Sequence, residues 1–136
     1  MKAKYIIILL VLISVFSCKN EGAETVIQLE GLTLNNNEKW VANEETHIGM
    51  KHMDSILKKY PDLDGEVLVD ALSKETGYII KNCDMKGEEH DQLHVVLLPI
   101  LESISNLKDL ANASDVEKEV TKLKQLTTTY FQYFKN

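Results

Sequence analysis

Apolar residues recur at three- and four-residue intervals along most of this chain, and the stretches between the runs are short. Thr46, Met50, Met53, Leu57 and Tyr60 fall on one stripe, with Glu44 and Glu45 in the first turn and Pro61 closing the run. Asn43 is the expected N-cap, so a first helix is predicted over roughly 44–60. A second, over roughly 64–83, carries Leu68, Leu72, Thr76, Ile79 and Ile80, and its stripe continues onto Cys83. Gly77 weakens it internally, and Gly87 is read either as an ordinary helix stop or as a tight turn between Met85 and His90. Leu93, Leu97, Ile100, Leu101, Ile104 and Leu107 predict a third helix over roughly 88–111, with an expected kink at Pro99. Ser114 or Asp115 is expected to cap a fourth, with Val116, Val120, Leu123, Thr127, Tyr130 and Phe134 on its face. Residues 25–40 read as a short strand or an extended lead-in, closed by a turn at Asn35-Asn36-Asn37, with Trp40 plugging the end of the helical region.

Helical periodicity, short links and the lack of alternating strand patterns predict an all-α fold, an up-down-up-down four-helix bundle over 44–136. In that topology the start of the first helix, the end of the second and the start of the third meet at one pole. This matters because of where the metal-binding residue types lie. The histidines are 47, 52, 90 and 94, and the methionines after the initiator are 50, 53 and 85. All of them, with Cys83, fall in the windows 47–53 and 83–94, which the predicted topology brings together.

The N-terminus changes the picture of where this happens. Lys2 and Lys4 precede an apolar run from Tyr5 to Phe16, the pattern of a secretory signal peptide. The run is shorter than the roughly 20 apolar residues a membrane span needs. Val15, Ser17 and Cys18 occupy the −3, −1 and +1 places of VFSC, with the bulkier Phe16 at −2. This segment resembles the lipobox of bacterial lipoproteins. The resemblance implies cleavage after residue 17, lipidation of Cys18, and attachment of residues 18–43 as tether and lead-in to an inner or outer membrane of the cell envelope. Residues 19–24 are too polar to pack. Loss of Lys2 and Lys4 would take the net charge from −6 to −8. The chain has no arginine, and an acidic chain of this kind is a poor nucleic-acid ligand, since phosphate neutralisation supplies most of that affinity.

With Cys18 lipidated, Cys83 is an unpaired thiol in an export compartment, which calls for a metal, an intermolecular disulfide or burial. His90 and His94 stand at i and i+4, expected to look into the bundle beside Leu97 and Leu101. Met50 and Met53 lie in the apolar stripe of the first helix, His47 at its edge, and His52 on the opposite, surface side. Thiolate and thioether select copper, and imidazole suits copper, zinc or iron. The expected ligands are therefore Cys83, His90 and His94, with Met50 or Met85 as the softer fourth and His47 in reserve.

Zinc would draw on Cys83, His90, His94 and a carboxylate such as Glu89 or Asp91. A non-covalent b-type haem would use Met50 with His90 or His94, since no Cys-x-x-Cys-His attachment motif is present. The region after the signal peptide resembles small periplasmic metal-handling helical bundles in architecture and ligand type. That likeness implies a non-enzymatic, lipid-anchored metal-binding protein acting in sequestration, sensing or transfer. No phosphate-binding glycine loop or nucleophile elbow is visible, and the Cys83–His90 pair has no third orienting residue in the sequence, so an enzyme is not expected. The alternative is a structural lipoprotein whose bundle recruits a protein partner in the envelope.

Overall fold

The computed structural model describes residues 26–136. The signal segment, Cys18 and the tether lie outside them. Four helices dominate: α1 (Glu44–Lys58), α2 (Gly65–Asn82), α3 (Glu88–Leu107) and α4 (Ala113–Tyr133). Two short strands, β1 (Trp40–Val41) and β2 (Phe134–Lys135), pair in parallel with Trp40 opposite Phe134. Among the described residues no helix is long and apolar enough to cross a membrane.

The core is built mostly from the predicted stripes, with Val96 and Leu126 added and Ile80, expected on the second stripe, exposed instead. Met50, Met53 and Leu57 of α1, Leu68, Leu72 and Ile79 of α2, Leu93, Val96 and Ile100 of α3, and Leu123, Leu126 and Tyr130 of α4 are all essentially inaccessible to solvent. Burial of this kind contributes about 25 cal/mol per Å² of apolar surface removed from water. One position shows how closely α1 and α2 approach. A Cβ at Gly49 would overlap the buried Ile79 side chain, so only a residue without a side chain lets the two helices lie together there.

Among the described residues of the lead-in, no strand precedes Trp40, and an isolated bridge joins Asn35 and Glu38. Asn36 (φ 50°) and Asn37 (φ 68°) occupy the centre of that turn, in the left-handed region that asparagine tolerates better than most residues. Trp40 is buried, as expected, and its indole Nε1 donates to the Thr33 carbonyl at 2.6 Å. Ile27 is tied to α4, its N–H donating to Thr129 Oγ1 at 3.1 Å.

Helix boundaries differ from the sequence expectations in instructive ways. Asn43 occupies the N-cap of α1 but makes no side-chain cap. Its amide instead donates to the Asn82 carbonyl at the end of α2 and to Glu45 Oε2, each at 2.9 Å. These two donations orient the side chain, and its Oδ1, the atom a cap would use, is buried without a hydrogen-bond partner. The cap of α4 is Asn112, whose Oδ1 accepts from the Ser114 N–H at 2.8 Å, rather than Ser114 or Asp115. α3 runs through Pro99 and ends at Leu107, short of the expected 111.

Candidate metal centre

The segment joining α2 to α3 sets the geometry of this pole. Asn82 is the last residue of α2, and Cys83 caps it in an extended conformation, its N–H still bonded to the Ile79 carbonyl at 2.9 Å. Asp84, Met85 and Lys86 then lead to Gly87, whose φ of 67° and ψ of −146° favour glycine. Gly87 is thus not the stop of α2 but the N-cap of α3, its carbonyl accepting from the Asp91 N–H at 3.1 Å. Glu88, Glu89 and Asp91 fill the first turn, where the helix dipole favours negative charge.

His90 and His94 come together on the first turns of α3. Their ring centroids are 4.3 Å apart, with the planes tilted at 55°. They do not both face the core as expected: His90 is half-buried and His94 exposed. The buried stripe runs through Leu93, Val96, Leu97 and Ile100. His94 follows Leu93 by one residue, a rotation of about 100°, which carries it onto the flank.

The first window divides. Met50 and Met53 are core residues, fully enclosed. His47 is buried, its Nδ1 hydrogen-bonded with Tyr130 Oη at 3.2 Å and its ring edge-on to Phe131. Burial, and after it the positive charges of Lys51 and Lys39, hold the His47 imidazole below its ordinary pKa of 6.5. His52 is a surface residue, as expected, paired with Glu75 at 3.0 Å. Cys83 and Met85 are half-buried and pack against the core.

The start of α1 and the end of α2 lie together, with the first histidine of one window and the cysteine of the other near one tyrosine. Asn43 bonds to Asn82 across the start of α1 and the end of α2, and His47 and Cys83 both act on Tyr130. Burial first, and the neighbouring Cys83 second, push the Tyr130 phenol well above its ordinary pKa. Tyr130 comes from α4, a helix without histidine, cysteine or methionine, so a census of metal-binding residue types misses it. The available signal was a tyrosine on a core stripe, whose buried hydroxyl requires a polar partner.

Among the described residues no three His, Cys, Asp or Glu side chains converge to hold a metal ion. Cys83, His90 and His94 are therefore not assembled into one three-donor cluster in this conformation. The pole presents an imidazole pair on α3 and a thiol and a thioether on the link preceding it. At the far end of the molecule a cavity of about 480 Å³ opens between the start of α2, the end of α3 and the start of α4. Leu68, Val69, Leu107 and Val116 line it, with Asp64 and Lys108 at its polar parts, and none of the expected donors is among its lining residues. The chain matches no protein-family model, no curated protein and no solved structure.

Proposed function

We propose that the chain is a lipid-anchored protein of the bacterial cell envelope that binds a soft or borderline metal ion, copper foremost, in sequestration, sensing or transfer. Its four helices form an up-down-up-down bundle behind a cleaved signal peptide and a lipidated Cys18. The observation that carries the reading is the pairing of the His90 and His94 rings at 4.3 Å, directly after the link bearing Cys83 and Met85. Imidazole, thiolate and thioether are the donors that copper prefers. Cuprous copper is the ion best matched to Cys83 and Met85, and binding would also protect an unpaired thiolate from oxidation. His47 and Met50 serve packing, since one is held by Tyr130 and the other is enclosed in the core.

The test is metal content of the whole chain, purified in detergent under reducing conditions without chelators, followed by a cuprous titration against a competing chelator. One copper per chain is expected, with Cys83→Ser weakening cuprous binding far more than His52→Ala. Equal losses in the two variants would remove Cys83 from the ligand set. A protein that takes up neither copper nor zinc would leave the bundle as a docking module for an envelope partner. Anchoring is checked separately by labelled-palmitate incorporation, which Cys18→Ser should abolish.

A further inference from the structure

The two imidazoles differ from the other donors in being already in register. We infer that His90 and His94 form a self-contained chelate for a divalent ion, Cu(II) ahead of Zn(II), that needs no donation from Cys83. The inference rests on the reading of this pole as a metal site and names which ion its imidazole part takes. Both rings project from consecutive turns of one helix, with centroids 4.3 Å apart. The side chain between them reaches the lead-in: Gln92 Nε2 donates to the Gly31 carbonyl at 3.0 Å, and Gln92 Oε1 accepts from the Thr33 N–H at 2.7 Å. The turn that carries the chelate is thus tied to the lead-in, and its two rings already stand side by side before an ion binds.

His94 is exposed, so an ion held there meets solvent and exchanges without opening the core. Glu88, Glu89 and Asp91 in the same turns raise the local concentration of cations. Imidazole nitrogen suits both ions, and the affinity order for divalent metals places copper above zinc. Sulfur donors favour the cuprous state, so the two donor sets at this pole sort the ion by oxidation state. Once one imidazole holds the ion, the second binds intramolecularly, which is worth on the order of a hundredfold in affinity.

The experiment titrates the whole chain in detergent with Zn(II), which is redox-inert and spares the thiol, and then with Cu(II) on the Cys83→Ser variant. Wild type and Cys83→Ser should bind Zn(II) within about threefold of each other, whereas His90→Ala and His94→Ala should each lose on the order of a hundredfold. The paramagnetic spectrum of the Cu(II) form should show two equivalent nitrogen couplings, which His94→Ala reduces. If Cys83→Ser loses as much Zn(II) affinity as His94→Ala, the chelate is not self-contained, and the metal-binding reading of the pole survives without it. If neither histidine variant weakens Zn(II) binding, the chelate is wrong whatever the pole does with cuprous copper. If no variant binds any of the three ions, both readings fall.

Discussion

The two windows each carry a pair of histidines, and the pairs end in opposite arrangements. His47 and His52 are five residues apart on α1, which turns them to different sides: one is buried against Tyr130, the other is on the surface with Glu75. His90 and His94 are four apart on α3, and their rings stand 4.3 Å from each other. One residue of spacing therefore separates a structural histidine and a surface ion pair from a candidate chelate. Side-chain type alone does not define a metal site; register on the helix does.

The largest effect comes from moving that register. In a His94→Ala background, Ile48→His places an imidazole four residues from exposed His52 and should restore Zn(II) affinity by on the order of a hundredfold, read by competition titration. A wild-type window on α1 that bound zinc as well as α3 does would break the comparison. Next in size are changes at the contacts that commit α1 to structure. Tyr130→Phe strips the buried His47 Nδ1 of its partner and should cost about 1–3 kcal/mol in urea melts, with zinc affinity unchanged. Gly49→Ala, which forces a side chain against Ile79, should cost about 1–3 kcal/mol as well. The paired control Gly77→Ala adds a methyl into open space and should stabilise by about 1 kcal/mol through helix propensity.

A pH dependence arises from His47. Its folded-state pKa lies below the ordinary 6.5, so the unfolded chain takes up the proton first as the pH falls. The His47 contribution is therefore flat above 6.5 and is lost progressively below it. The urea midpoint should drop between neutral pH and about pH 5, and His47→Gln should shrink that drop. The smallest effect belongs to His52→Ala, which removes an exposed pair and should change stability by no more than about 0.5 kcal/mol.

Much of the fold was legible because each helix buries a stripe with its own period. Met50 and Met53, Leu93 and Ile100, and Val120 and Leu123 are core residues both by pattern and by position. The asparagine turn was also readable, since consecutive asparagines tolerate the left-handed backbone that Asn36 and Asn37 adopt. What could not be read was decided at long range. The Asn43 side chain is turned by a donation from its Nδ2 to Asn82, thirty-nine residues away, and no local rule reveals that partner. His47 finds Tyr130 at a separation of eighty-three residues. At the site, the approach of the α1 start to the α2 end was legible from helix order. The outward turn of His94 was not, because a stripe read to within one residue carries an error of about 100°.

The most direct measurement of the central claim is a long-range proton–nitrogen NMR spectrum of the four imidazoles during a Zn(II) titration of the whole chain in detergent. The account predicts that the His90 and His94 ring nitrogens shift together and saturate at one ion, while those of His47 and His52 stay in place. Shifts spread equally over all four, or confined to His47 and His52, would contradict it.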